Sequence, residues 1–485
     1  MTNDSGSNVT GDIHSLLNVV SNLPLFSELS RELQGKIAEE IEWFALPGGT
    51  TLFEAGEAAN AVYFVITGCL GAFASDQSSG NRRLLGHIVA GESVGEMALI
   101  SGNPRNATII ALRDSELGRW PKQGFDTLMQ YHPRELLQIT RLIVQRLENS
   151  QRFQVRSARR KFLKTFAVVP QGPDVDGTAF VRQLVTCLEH YGRTALIEEV
   201  HGTEYTSDWF YRIERSHDFV VYLTDSRSTA WTRLCLRQSD SVLLLANATA
   251  NPQPWNMLTD IGKPARQDYR TELVLLNSQG IVPHAARSWL NITPDIPHHH
   301  VGNRVDLSRL TRLITGRGLG LTLSGGGARG FAHIGVMRAL QEAEIPIDIV
   351  GGTSIGAIIA GGIAAGWDFQ EMVFHMNRSF VADNPLDDYT FPFISLVAGR
   401  KVSRLLRREF SDVHIEDLGL PYFCVSANLT TGRSVVHRQG ELWHWLRASV
   451  AIPGVLPPVF SDGQIFVDGA TINNLPVDIM HQQGR

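Results

Sequence analysis

From residue 319 the spacing of apolar positions changes repeatedly within one short stretch. Leu319, Leu321 and Leu323 alternate with smaller or polar neighbours, the period of a strand, and run into Gly325, Gly326 and Gly327. Ile334, Val336, Met337 and Leu340 then follow a helical pattern until Pro346 closes the segment. A second apolar run at 347–350 meets Gly352-Thr353-Ser354-Ile355-Gly356, and AIIAGGIAAG follows as a small apolar helix. Strand, glycine turn, helix, strand, glycine turn and helix predict an α/β domain over 317–485, with strands 421–429 and 464–468 completing its sheet.

The rest of the chain has two other rhythms. From 15 to 150, a short helix pair gives way to short strands with glycine turns at Gly48, Gly49, Gly56, Gly68, Gly80 and Gly91. That is the spacing of a β-barrel or jelly roll, and a helical pattern resumes at GFDTLMQYHPRELLQITRLIVQRLENS. Between 166 and 310, KTFAVV, RTALI, DFVVYLTD, SVLLLANA and TELVLLN alternate with helical patterns, which predicts an open α/β sheet. Residues 1–14 are polar and expected to be disordered. Residues 151–165 form a basic linker, whose segment 152–164 holds six basic residues and no acid. A solvated linker is the plainer reading of that segment, and attraction to anionic lipid the sharper one.

Gly352-Thr353-Ser354-Ile355-Gly356 fits G-x-S-x-G between a strand and a helix, the setting in which flanking glycines let the backbone crowd and push a serine hydroxyl outward. The earlier glycine cluster offers backbone N–H groups that could hold a phosphate or an oxyanion. Gly325, Gly327 and Gly330 also match G-x-G-x-x-G, but the next strand ends in a serine elbow rather than an acidic ribose ligand, which counts against a dinucleotide site. A nucleophilic serine needs a base. His375, His414, His437, His444 and His481 lie downstream in no telling context, whereas QIFVDGA delivers Asp468 from an apolar strand into a Gly-Ala turn.

Composition narrows the classes. The 485 residues suggest about three domains of roughly 100–200 residues each. A hydrophobic share of 43% against 19% charged residues allows buried cores, and a net charge of −5 predicts no nucleic-acid partner. Cys69, Cys187, Cys235 and Cys424 form no CxxC, as in a reducing compartment. No apolar run approaches the ~18–20 residues of a membrane span, and the N-terminus lacks a basic region and an apolar core. The expectation is a cytoplasmic protein with peripheral membrane contact. His298, His299 and His300 read as a polar loop, since neighbours in a loop cannot easily converge on one metal ion, and no metal site is expected.

GGGARG, GTSIG and DGA in that order resemble the patatin-like phospholipase family. The resemblance implies a Ser–Asp dyad without histidine. Ser354 is then the nucleophile, Asp468 orients and deprotonates it, and Gly325, Gly326 and Gly327 with the Arg329 loop bind the oxyanion. GESVGEMALISGNPRNATIIA (91–111) is similar to the phosphate-binding cassette of cyclic nucleotide-binding domains. It implies a site at Gly95, Glu96, Met97, Ala98, Arg105 and Asn106, with Glu96 on the ribose hydroxyl and Arg105 on the phosphate oxygens. Asn106 stands where family members often carry alanine or threonine, which leaves cAMP and cGMP both open. The middle region is weakly similar to a P-loop ATPase of the partitioning type, but 171–178 contains no GK[ST], so a spacer without ATPase activity is expected.

Together these parts, over roughly residues 20–485, resemble the neuropathy target esterase family. That implies a serine esterase acting on lysophospholipids or phospholipids. It needs no cofactor for catalysis, and its barrel either takes a cyclic nucleotide as regulator or is kept as a regulatory or docking surface without one; a lipid-binding or nucleotide-binding scaffold with an inactive hydrolase domain is the alternative. Relatives of this kind run on beyond the position of Arg485, so the resemblance implies a truncated last domain. The stretch 448–460 fits either an acyl-chain wall or ordinary core, and the oligomeric state stays open.

Overall fold

Ala61–Thr67 is apolar at nearly every position because both of its faces are covered. The computed structural model describes residues 20–21, 23, 26–27, 29–75, 82–131, 164–199, 206–252, 270–277, 280–292 and 296–483. The expectations of disorder at 1–14, of helix through 132–150 and of a basic linker lie outside these residues, save for residues 164 and 165. The chain divides into two compact units. The first is Met1–Ala167 with Gly192–Val242 and Asn256–Arg270; the second is Val168–Tyr191 with Leu243–Trp255 and Thr271–Arg485.

In the first unit, two four-stranded antiparallel sheets make the jelly roll. One contains Glu42–Leu46, Ser115–Pro121, Ala61–Thr67 and Ser93–Val94, and the other Thr51–Phe53, Thr108–Ala111, Cys69–Ser75 and Arg82–Val89. Alternation along Ala61–Thr67 sends Ala61, Tyr63 and Val65 into one apolar cluster with Leu117 and Ile109. Val62 and Phe64 pack on the other side against Ile37 and Phe125 of the flanking helices, Phe26 of a turn and Trp120 of the neighbouring strand. The turn after Thr108–Ala111 joins this barrel to the middle region by charge. Arg113 is ion-paired with Glu214 and, at 2.6 Å, with Asp240, and Arg237 bonds Asp114 at 3.0 Å. The same unit holds the parallel pair Thr194–Ile197 and Phe219–Leu223, as the α/β pattern predicts.

In the second unit, Gly320–Leu323, Ile349–Thr353 and Tyr422–Asn428 lie parallel, and Gln464–Asp468 joins the last of them antiparallel. Two strands not foreseen in the sequence, Arg433–His437 and Val459–Ser461, complete this sheet. The strand expected at 347–350 begins later, at Ile349. Asp348 is held outside it, fully buried, by Arg312, whose Nε donates to both carboxylate oxygens at 3.0 Å and whose Nη2 donates to Oδ1 at 2.7 Å, and by the Leu319 N–H at 2.9 Å.

One expectation is corrected here. His298–Val301 is not a polar loop but a strand, paired in parallel with Arg270–Leu276. Its polar side chains are tolerated because each finds a partner, which the sequence pattern does not display. His299 Nε2 meets Glu272 at 2.6 Å, while His298 and His300 meet the Glu416 carbonyl at 2.8 and 3.0 Å. Burial pushes the His298 imidazole down to about 3 and also lowers His300, so both sit neutral in the core. Among the described residues no cluster could hold a metal ion.

Candidate functional site

The strand register assembles the site. Thr353 pairs with Val425, and the next residue, Ser426, pairs with Asp468, so Ser354 and Asp468 leave their strands at one level of the sheet. Ser354 takes φ 56° and ψ −128°, a turn that L side chains rarely adopt, and the helix Ile355–Ala364 starts immediately after it. The turn is possible because its flanks are glycine: a Cβ at Gly356 would stand 2.4 Å from the Leu323 carbonyl, and one at Gly352 would stand 2.7 Å from the same oxygen. Ser354 Oγ donates to Asp468 Oδ2 at 2.8 Å, and both residues are buried. No histidine bonds to either residue among those described. His437, one of the sequence candidates, is instead bonded to Ser426 at 2.7 Å, stacked on Trp445, and pushed by burial down to about 3.

Asp468 is poised toward basicity. Its other oxygen, Oδ1, accepts from the Ala470 N–H at 2.8 Å, which fixes the carboxylate plane. Burial raises its pKa, while the bonds from Ala470 and Ser354 pull in the opposite direction, and burial prevails. Sequence reasoning missed Ser449. Its hydroxyl accepts from the Ser354 N–H at 2.9 Å and donates to the Val425 carbonyl at 2.7 Å, tying the elbow to the neighbouring strand. A lone serine in ASVAIPG gives no signal of that position.

The glycine loop lies against the elbow. A Cβ at Gly325 would come within 3.0 Å of Ser354 Cβ and 2.5 Å of Asn474 Oδ1. The Gly325 N–H already donates to the Asn474 carbonyl at 3.1 Å, whereas Gly326 precedes and Gly327 opens a 3-10 turn, Gly327–Phe331. The first N–H groups of a helical turn have no acceptor within it. Gly327 has φ +56°, and Arg329 projects into solvent.

The cassette residues of the barrel are also brought together. Gly95, at φ 90°, opens the short helix Glu96–Ser101, with Ala98 buried, Met97 36% exposed and Asn106 exposed. Arg105 is turned inward. Its Nη1 donates to the Gly95 carbonyl at 2.8 Å and Nη2 to the Ala61 carbonyl at 2.7 Å, and the guanidinium lies 4.1 Å over the Phe53 ring. Glu96 is buried with Oε2 unpartnered among the described residues. In the middle region the helix Gly177–Glu189, which a P-loop would use for phosphate, is capped by Asp176, whose carboxylate accepts from the Ala179 N–H at 2.8 Å. An acid occupies the place a phosphate would need.

A strained serine elbow bonded to an aspartate, beside a glycine loop in a parallel-centred sheet, defines a patatin-type hydrolase domain. Residues 321–481 match the patatin-like phospholipase family, 43–132 the cyclic nucleotide-binding domain family, and 162–315 the P-loop like domain of the neuropathy target esterase family. An uncharacterised NTE family protein of Mycobacterium tuberculosis is 31% identical over 95% of this chain and 77% of its own length. The chain belongs to the neuropathy target esterase (NTE) family. It is also 31% identical to patatin-like phospholipase domain-containing protein 6 of Pongo abelii and 29% identical to lysophospholipase NTE1 of Yarrowia lipolytica, each over 92% of this chain. It spans only 37% and 38% of those two proteins. The barrel is similar to a cyclic nucleotide-binding domain of Methylobacillus flagellatus, at 20% identity and a TM-score of 0.27 over 31% of this chain and 86% of that one. No helix among the described residues is long and apolar enough to cross a membrane.

Proposed function

We propose that the protein is a serine esterase that cleaves acyl esters of lysophospholipids or phospholipids. The observation that carries the reading is the 2.8 Å bond between Ser354 Oγ, on its strained elbow, and a buried Asp468. Ser354 Oγ attacks the acyl carbonyl carbon while its proton passes to Asp468 Oδ2. The carbonyl oxygen, now negative, takes hydrogen bonds from the Gly326 and Gly327 N–H groups, with Gly325 shaping the loop through its bond to Asn474. Collapse expels the alcohol, which leaves with the proton from Asp468. Water then adds to the acyl-serine by the same route and releases the fatty acid. The glycine loop supplies charge stabilisation through fixed dipoles, so no metal or organic cofactor enters the cycle.

The functional divisions proposed are a cyclic nucleotide-binding-type region at 15–150, a P-loop-like region without ATPase activity at 166–310, and the hydrolase domain at 317–485. The barrel is read as a regulatory site for cAMP or cGMP. Labelling by a fluorophosphonate probe tests the catalytic reading without knowledge of the lipid. The native chain is expected to label, Ser354→Ala not at all, and Asp468→Asn at a rate reduced ~10²–10⁴-fold for want of its base. Equal labelling of native protein and Ser354→Ala would remove Ser354 from the reaction.

A further inference from the structure

A second concentration of chemistry lies away from Ser354. The helix Arg400–Phe410 begins after Gly399, and the spacing of Arg400, Arg404 and Arg407 puts them on one exposed face. With Arg447 of the helix Leu442–Ser449 they line a cavity of about 430 Å³ that Ser354 and Asp468 do not touch. Neighbouring cations are already neutralised: Lys401 bonds Asp387, Arg408 bonds Asp383 and Glu409, and Arg378 bonds Glu409. The four pocket arginines have no carboxylate within ion-pair distance among the described residues.

Arg447 is the decisive group. It is 5% exposed, and only its Nη2 is engaged, donating to the Pro457 carbonyl at 2.9 Å. Nε and Nη1 are buried without a partner among the described residues. Burial pushes the guanidinium down to about 10, and Asp388 is the one counter-charge that opposes this. Asp388 accepts from the Lys401 N–H at 3.0 Å through Oδ2; its Oδ1 is buried without a hydrogen-bond partner among the described residues, and no bond joins it to Arg447. The floor of the pocket is closely fitted, since a Cβ on Gly399 would stand 2.6 Å from Arg447 Nη2. Arg407 lies 4.3 Å over the Trp443 ring, which holds its planar fork at the wall. A buried, half-satisfied cation beside three unpaired ones calls for an oxyanion ligand.

The chain that leads into this pocket says where the oxyanion resides. Residues 389–396 expose Tyr389, Phe391, Phe393 and Ile394 by 78%, 73%, 87% and 72%. Large apolar side chains clustered in open water mark a surface that meets something apolar. Exposed rings beside unpaired arginines suit the boundary between acyl chains and phosphate headgroups.

We propose that loop 389–396 enters the interface of a bilayer while Arg400, Arg404, Arg407 and Arg447 bind the phosphate of an anionic phospholipid headgroup. This docking site works independently of turnover at Ser354 and would stand if the esterase reading failed. The test is sedimentation of the full chain, carrying Ser354→Ala so that lipid is not consumed, with vesicles of phosphatidylcholine alone or mixed with phosphatidic acid. Binding to the mixed vesicles is expected to be about tenfold tighter or more, and to weaken as salt is added. Arg400→Ser with Arg404→Ser should abolish that preference, and Phe393→Ser with Ile394→Ser should weaken binding to both vesicles. Unchanged melting curves, and unchanged cleavage of a soluble ester when Ser354 is native, separate these effects from misfolding. Equal binding to both vesicles, or binding indifferent to the arginine pair, overturns the proposal. So does arginine-dependent binding of glycerol phosphate without any binding of vesicles, which would make the pocket a site for a soluble phosphate.

Discussion

Ser354 keeps its hydroxyl at the head of a helix only by adopting φ 56°, a conformation worth about 1–3 kcal/mol of strain in a non-glycine residue. Ser354→Gly and Ser354→Ala both delete the hydroxyl, but only glycine relaxes the backbone. In urea unfolding, Ser354→Gly should therefore be the more stable of the two by about 1–3 kcal/mol. Equal stability would mean that the elbow is unstrained. Asp468 makes a second prediction. Its carboxyl is raised above the ordinary 3.8 by burial, and it accepts a proton only when ionised. Turnover of a soluble ester should fall as pH drops through this raised value, so the acid limb of kcat/KM should lie above the range of a free carboxylate. A limb at the ordinary carboxylate pKa would argue against Asp468 as the base. Both side chains were legible in the sequence, one from its flanking glycines and one from the strand that precedes it. Ser449 and Asn474 were not, because a single hydroxyl or amide that meets its partner across the fold leaves no periodic trace.

Among the elements, the glycine loop is the most sharply constrained. Gly325→Ala would put a methyl 2.5 Å from Asn474 Oδ1 and 3.0 Å from Ser354 Cβ, against a side chain on either side. We expect the variant to fold and to lose ~10²-fold in kcat, the cost of displacing donors by a fraction of an ångström, with KM little changed. A loss confined to KM would place the loop in substrate binding instead. Strand periodicity predicted most of the strands of both α/β sheets but missed His298–Val301 in the middle one, where three consecutive imidazoles imitate a loop. Its polarity is cancelled by Glu272 and the Glu416 carbonyl, far away in sequence. Val459–Ser461 was hidden for a related reason: it is a short edge strand in a stretch rich in proline. The stretch 448–460 proved mixed, with Ala448, Ala451 and Leu456 in the core and Ile452 and Phe460 exposed.

At the scale of the whole molecule, the proposed regulation by a cyclic nucleotide would begin at Arg105. A cyclic phosphate can use this guanidinium only after it leaves the Gly95 and Ala61 carbonyls. Arg105→Ala should remove cAMP and cGMP binding measured by calorimetry, and in the native chain the affinity should be weakened by that prior engagement. Tight binding that survives Arg105→Ala would place any nucleotide elsewhere. Within the first unit, the Arg113 pairs with Glu214 and Asp240 and the Arg237–Asp114 bond are among the contacts through which a barrel rearrangement would reach the middle region. The strand rhythm of the barrel was readable in the sequence, yet the inward turn of Arg105 was not, because a motif records which side chain is present and not its rotamer. The strand register carries one more consequence. Ser354 and Asp468 are 114 residues apart and meet only once Tyr422–Asn428 has been threaded between their strands. Such distant pairings form late in folding. On the proposed chemistry, a chain emerging during synthesis would expose its serine long before Asp468 could take its proton, and esterase turnover would double as a reporter that the final sheet has closed.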